Sequence, residues 1–135
     1  CRADGAELVL DAATRASLEI TETQAGERTG SLLGTVDRCR TAAGARRLAD
    51  DLAAPLTDRA AIARRLDVVS FFHAHAMLRE DVRDTLRRMP DLERAVARVV
   101  AGRGSPRDLG QVREALAQAD TLAAALRGLD LPELM

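Results

Sequence analysis

The sequence predicts an all-α fold, an irregular multi-helix bundle preceded by a short extended N-terminal segment. Apolar residues recur at helical spacing through most of the chain. The apolar segments are separated by capping residues, glycines and prolines, the residue types that begin and end helices. The length suits one domain, residues 1–135, and no repeat of the kind that builds a solenoid is present.

The first third of the chain predicts two short helices. Residues 7–10 are an extended candidate, too short to stand alone. Asp11 can cap a helix that runs from residue 12 to about residue 21, and a loop rich in glycine and charge follows over residues 24–30. Residues 31–37 then predict a short helix, which its central glycine weakens.

Two longer helices are predicted in the middle of the chain. Thr41 is the expected N-cap of a helix that continues to Ala53, and Pro55 ends it. Thr57 or Asp58 caps the next helix, whose apolar stripe is expected to lie in the core or at its boundary. That stripe consists of Ile62, Leu66, Val69 and His73, widened by Phe72, Ala76 and Met77.

The charged segment 79–81 is expected to bend or break this helix. Pro90 stops it and presets the first turn of the following helix, which Gly102 and Gly104 end. The predicted apolar faces are Val82, Leu86 and Met89 before the proline, and Leu92, Val96 and Val99 after it.

The last helix has the clearest signals. Ser105 is its N-cap, Pro106 occupies the first helical position, and Asp108 stands where a capping box places an acceptor. Gly128 ends the helix. Its predicted buried face is Leu109, Val112, Leu116, Ala119, Ala123 and Leu126.

The composition excludes several classes of function. All 20 basic residues are arginines, set against 21 acidic residues, so the chain is neither an acidic tail nor a basic nucleic-acid arm. Without lysine it can form neither a Walker A phosphate loop nor a Schiff base. With Phe71 and Phe72 as its only aromatic residues, it has no platform on which unpaired bases could stack. Any ATPase or base-reading function is therefore expected outside this chain.

The two cysteines and the hydropathy pattern indicate the compartment. Cys1 and Cys39 are too few for a zinc quartet and are expected to be free thiols. Neither a signal peptide nor an apolar run of membrane-spanning length is present. The sequence therefore predicts a soluble, cytoplasmic protein that makes no contact with a membrane.

No group of side chains predicts a catalytic, cofactor-binding or metal site. His73 and His75 diverge on a helix, as do the carboxylate pairs at 50–51 and 80–81, so none of these pairs can act on one ligand. Adjacent arginines stand among acidic residues, so surface ion pairs explain them and no DNA-binding residue is assigned. These pairs are Arg46–Arg47, Arg64–Arg65 and Arg87–Arg88.

The arginines near the last two helices are candidates for contacts with other helices. Arg94 and Arg98 repel each other as i, i+4 neighbours, so one of them is expected to reach an acid elsewhere. Asp108 complements the positive end of the last helix, whereas Arg107 does not. We therefore expect Arg107 to be buried or to contact another helix.

Three blocks follow one another along the chain. They are LDAATRASLEI from residue 10, then SLLGTVDRC, TAAGAR and LAAPL between residues 31 and 56, and PDLERAVARVVAGRGSPRDLGQVREAL from residue 90. In this order and spacing they resemble the start of the core (lever) domain, domain III, of the MutS family of DNA mismatch-recognition ATPases. The resemblance runs from about residue 7 to residue 126. It implies a structural role for the motif residues Asp11, Glu19, Gly44, Arg46, Pro55, Asp91, Glu93, Arg94, Arg98, Pro106, Arg107 and Asp108.

The resemblance implies a piece of a larger protein, placed after the connector and before the lever helices that carry the DNA clamp. Such a piece would transmit shape changes between clamp and ATPase without being an enzyme. The mismatch-reading wedge and the site for ATP and Mg²⁺ would lie in other domains. The implied partners are the rest of the MutS chain, a second copy in a homodimer on mismatched DNA, and MutL. Apolar faces left open would make the isolated piece self-associate.

The chain departs from the family pattern at several positions. Ser17 replaces a common asparagine. In the helix after Thr41, Asp51 stands where the family usually has an aromatic residue, and Arg47 stands where an apolar residue is usual. The last two changes make that helix more polar than the family pattern. The sequence also leaves an alternative open, a stand-alone helical adaptor that binds a partner helix through an apolar groove.

Overall fold

A computed structural model describes residues 7–132, and helices dominate this part of the chain. The β pairing in this range is one isolated antiparallel bridge between Glu7 and Leu56, beside which Leu8 N–H donates to the Pro55 carbonyl at 2.7 Å. The predicted all-α class is confirmed, and the extended N-terminal segment contributes this bridge. The helices are α1 (Ala12–Ser17), α2 (Leu32–Val36), α3 (Ala42–Ala53), α4 (Arg59–Ala74), α5 (Ala76–Arg88), α6 (Leu92–Val100) and α7 (Pro106–Leu126).

Helix starts agree with the predicted caps. In every described helix except α5, where the N-cap His75 makes no such bond, the N-cap side chain accepts a hydrogen bond from the first turn, which satisfies a backbone donor that has no partner inside the helix. The prediction that Pro90 opens α6 is wrong, because α6 begins two residues later, at Leu92, with Asp91 as its N-cap. The confirmed caps are Asp11, Thr41, Asp58 (one of the two predicted alternatives) and Ser105. Ser31, for which no cap was predicted, is the N-cap of α2.

Helix α1 is shorter than predicted because Glu19 adopts a left-handed conformation, with φ of 49°. Glu19 N–H donates to the Ala16 carbonyl and Ile20 N–H donates to the Arg15 carbonyl, which is the Schellman pattern that terminates a helix. The chain therefore turns after Ser17, and the helix does not continue to residue 21 as the apolar pattern suggested.

The turn between α1 and α2 is organised around Ser31, which has no exposed surface. Its hydroxyl donates toward the Arg28 carbonyl at 2.7 Å and accepts from Gly34 N–H at 3.1 Å. A Cβ at position 34 would overlap the Arg28 carbonyl oxygen, so the glycine that was expected to weaken α2 is required for this close approach.

The break between α4 and α5 lies at His75, so the prediction of a bend at residues 79–81 is wrong. His73 is exposed, which contradicts its predicted place in the core or at its boundary. It lines an open apolar pocket beside Phe72 and Arg79. The histidine follows the stripe of α4, but that stripe itself is largely uncovered, as Leu66 shows with 58% exposure.

Helices α6 and α7 bury faces that differ from the predicted ones. Ala95 is fully buried and Ala115 is 1% exposed, because small side chains let the two helix axes approach closely. The neighbouring large residues of the predicted stripes are solvent-exposed, with Val96 at 41% and Leu116 at 56%. The buried face of each helix is therefore turned about the helix axis by one residue position from the face that the largest apolar side chains predict.

The packing is centred on α7, which lies against α6 and α5, while α5 also contacts α4 and α2 contacts α3. The chain has 9880 Å² of accessible surface. A compact monomer of 14.5 kDa would have about 6,900 Å². A large share of the apolar side chains is thus uncovered. Within residues 7–132, no helix is both long and apolar enough to cross a membrane.

Candidate functional site

Arg46 on α3 joins two helices that are far apart in sequence. Its Nη1 and Nη2 donate to Oδ2 and Oδ1 of Asp91 at 2.9 and 3.0 Å, and Nη2 also donates to Glu93 Oε2 at 2.7 Å. The two parallel bonds to Asp91 fix both the distance and the orientation of the guanidinium plane. They lower the pKa of Asp91, and the same contacts raise the pKa of Arg46. We call these three residues the first ion cluster.

A second ion cluster holds α6 against the start of α7. Arg98 Nε donates to Asp108 Oδ1 at 2.7 Å, and Arg98 Nη2 donates to Gln111 Oε1 at 3.3 Å. Ser105 donates to Asp108 Oδ2 through both its backbone N–H and its hydroxyl, at 2.8 and 2.7 Å. The Arg98 hydrogen bond, followed by those of Ser105, lowers the pKa of the buried Asp108 to about 2.

The two clusters lie at the two ends of α6. Asp91 is its N-cap and Arg98 is in its last turn, so α6 is fastened to α3 at one end and to α7 at the other. The prediction that Arg94 or Arg98 reaches an acid on another helix is confirmed for Arg98, while Arg94 pairs with Asp91 at its own helix start. The prediction for Arg107 is wrong, because its side chain is exposed and Asp108 takes the buried position.

Asp51 and Arg47, two of the expected departures from the family pattern, belong to a third network. Asp51 on α3 accepts a hydrogen bond from Arg65 Nη1 on α4 at 3.0 Å and forms an ion pair with Arg47 Nε at 3.0 Å. Charged side chains thus connect α3 to α4 at the position where the resemblance implies an aromatic residue. The pair Arg47–Asp51 is an i, i+4 pair in α3, and the predicted surface ion pairs are confirmed for Arg46, Arg47, Arg65 and Arg87.

Other motif residues shape turns. Glu19 Oε1 accepts from Gln24 N–H at 2.8 Å, and the Glu19 carbonyl accepts from Leu32 N–H at 3.0 Å. Gly44 N–H donates to the Thr41 hydroxyl at 3.0 Å, where a Cβ on the glycine would lie 2.9 Å from that oxygen. The sequence analysis did not identify Ser31 as the residue that organises the turn before α2. The available signal was its position three residues before Gly34, the spacing of an N-cap and the N3 residue of a helix. Asp11 caps α1, Pro55 accepts the bridge hydrogen bond, and Pro106 opens α7.

The described residues offer no group of three or more His, Cys, Asp or Glu side chains that could hold a metal ion. The clusters pair their arginines with carboxylates, so their chemistry is to fix helices in place. Cys39 is free and exposed, while Cys1 lies outside the described residues.

Comparison with known proteins identifies the family. The family profile described as MutS domain III matches residues 13–134. The DNA mismatch repair protein MutS of Erythrobacter litoralis is 62% identical over 114 residues, which is 84% of this chain and 13% of that protein. The MutS proteins of Nitrobacter winogradskyi and Zymomonas mobilis are 54% and 50% identical, each over 96% of this chain and 15% of their own length.

The chain therefore spans about one seventh of the length of the curated relatives that it matches. Domain III accounts for nearly all of this chain, which contains no lysine with which to form a Walker A loop. On this combined evidence, the chain belongs to the MutS domain III family and is a core segment of a DNA mismatch repair protein.

Proposed function

We propose that this segment passes shape changes between the mismatched-DNA clamp and the ATPase of the protein that contains it, linking the connector to the lever helices. The observation that carries the proposal is the fastening of α6 at both ends by ion clusters. A helix held in this way transfers a displacement at one end to the element at its other end.

The uncovered apolar surface supports a place inside a larger assembly. Val100 is 81% exposed, Met77 is 85% exposed and Val69 is 63% exposed, which is costly for a domain that works alone. We propose that residues 1–135 act as one domain whose apolar faces are covered by the rest of the MutS chain. The whole protein would act as a homodimer on mismatched DNA and with MutL, and would bind ATP and Mg²⁺ outside this segment.

Arg98→Met in the full-length protein tests the proposal. The variant keeps the aliphatic stem but removes both bonds to α7, so we expect mismatched DNA to lose most of its effect on the rate of ATP hydrolysis. The basal rate without DNA should stay unchanged. Arg113→Met, at an exposed arginine of α7, is the matched control and should respond to mismatched DNA as the parent protein does. A normal response in Arg98→Met would contradict the proposal.

The alternative of a stand-alone helical adaptor stays a prediction of the sequence. One observation favours it, the open apolar pocket along α4 lined by Ile62, Leu66 and Val69. The test is whether the 135-residue chain binds an isolated amphipathic helix saturably and whether Leu66→Asp abolishes this binding. Such a result would support the adaptor over the proposed transmission of shape changes, which we call the relay.

A further inference from the structure

Helices α4 and α5 lie on one stretch of sequence that contains nothing to separate them. Residues 59–88 include neither glycine nor proline. Ala74 and Ala76, which flank the break at His75, have the highest intrinsic helix propensity of any residue type. Local propensity therefore favours one continuous helix, and the observed break must be held by other contacts.

Arg79 supplies those contacts. Its Nη1 donates to the Phe72 carbonyl at 3.0 Å and to the His73 carbonyl at 3.2 Å. In an uninterrupted α-helix these two carbonyls would accept from the backbone N–H groups of Ala76 and Met77. In the bent arrangement the guanidinium therefore supplies the donor that these two carbonyls would receive from the backbone N–H groups of a continuous helix.

The His75 ring adds to the bent arrangement from the α4 side. Its Nδ1 lies 2.8 Å from the Phe71 carbonyl oxygen, and the ring stacks on Phe71 with a centroid distance of 4.3 Å. On the other side, α5 packs against α7. Helix α4 is joined to α3 by the half-buried Arg65–Asp51 pair, and an ion pair that solvent still reaches is a weak restraint. Helix α4 is therefore held more firmly at its junction with α5 than along the rest of its length.

We infer that the α4–α5 junction is a two-state hinge, and that the hydrogen bonds of Arg79 stabilise its bent state. The second state is a single helix over residues 59–88, about 45 Å long at 1.5 Å per residue. When this single helix forms, Arg79 loses its hydrogen bonds to the two carbonyls, and the N-terminal end of α4 moves relative to α5. This hinge deepens the proposed function, on which it rests for its purpose, by naming the element that moves.

The test measures the distance across the junction in the full-length protein. Spin labels are attached at Ala63→Cys and Arg88→Cys, both exposed positions, after the native cysteines are replaced by serine. In a continuous helix these positions lie about 38 Å apart along the axis, and bending shortens the distance. Arg79→Met should move a measurable population to this longer distance. Arg87→Met, on the same helix but away from the junction, is the matched control and should leave the parent distribution unchanged.

Ala76→Pro provides the opposite variant. Proline fits the first position of α5 but is incompatible with the interior of a continuous helix. The double variant Arg79→Met with Ala76→Pro should therefore return to the parent distance. An unchanged distribution in Arg79→Met would overturn the hinge, and so would a long-distance population that persists in the double variant. A broad distribution that proline does not restore would indicate unfolding and would also overturn it.

The same variants separate the hinge from the proposed function. If Arg79→Met lengthens the distance while the response of ATP hydrolysis to mismatched DNA stays normal, the hinge stands and its assignment to the relay fails. If Arg98→Met abolishes that response and Arg79→Met leaves the distance unchanged, the relay stands and the hinge is refuted.

Discussion

The rotation of α7 can be tested by exchanging side-chain size between two adjacent positions. Ala115 is 1% exposed on α7, the helix that packs against α6 and α5, whereas Leu116 is 56% exposed. Leucine at position 115 adds three carbon atoms at a buried position of α7. Forcing such groups into a packed contact costs about 1–3 kcal/mol. Removing the same atoms from an exposed position usually changes stability by less than about 0.5 kcal/mol.

We therefore expect Ala115→Leu to lower the free energy of unfolding by about 1–3 kcal/mol. Leu116→Ala should leave it almost unchanged. Urea denaturation of the 135-residue chain, followed by far-ultraviolet circular dichroism, measures both values. The measurement is repeated at a tenfold lower protein concentration, because association through exposed leucines would otherwise contribute to the apparent stability.

The reverse order would refute the assignment of the buried face. If the larger apolar side chains defined that face, Leu116→Ala would cost about 2–5 kcal/mol and position 115 would tolerate leucine. Such a result would restore the orientation that the hydrophobic periodicity predicts.

Three further predictions concern charge and association. The pKa of Asp108 is lowered to about 2 in the folded chain, so the ionised carboxylate stabilises the fold fully above its ordinary pKa of 3.8, and this contribution is lost as the pH falls toward 2. The urea concentration at the midpoint of unfolding should therefore fall with pH over this range. Asp108→Asn should flatten that dependence. Arg46→Met should lower the melting temperature more than Arg47→Met, since Arg46 binds Asp91 with two hydrogen bonds across helices while Arg47 makes an exposed contact within one helix; equal melting temperatures would contradict this. The isolated chain should sediment as more than a monomer and bind a hydrophobic dye, given its uncovered apolar surface; a strictly monomeric chain that binds no dye would argue against that reading.

The helix boundaries were largely predictable because they depend on local chemistry. Ser105, Pro106 and Asp108 satisfy or replace backbone donors within one turn, so their effect can be deduced without knowing the rest of the fold. The same reasoning succeeded at Asp11 and Thr41. It failed at Glu19, since a glutamate in the left-handed region is uncommon and is held here by contacts with the following turn.

The faces of the helices and the ion clusters could not be predicted in the same way. Periodicity assigns the largest apolar residues to the core, but α6 and α7 bury Ala95 and Ala115, while larger neighbouring residues stay exposed. The partners Arg46 and Asp91 are 45 positions apart, so their pairing depends on the tertiary arrangement. The break at His75 likewise depends on Arg79, whose side chain competes with the backbone for carbonyl oxygens.

Hydrogen exchange on the full-length protein tests the central claim, transmission through α6, most directly. Backbone exchange in α6 and in the first turns of α7 is compared for the free protein, with mismatched DNA, and with a non-hydrolysable ATP analogue. If α6 transmits the signal, each ligand alone changes protection in this segment, and Arg98→Met confines each change to one side of the second ion cluster. Protection that stays the same with either ligand would contradict the claim that the segment carries the signal.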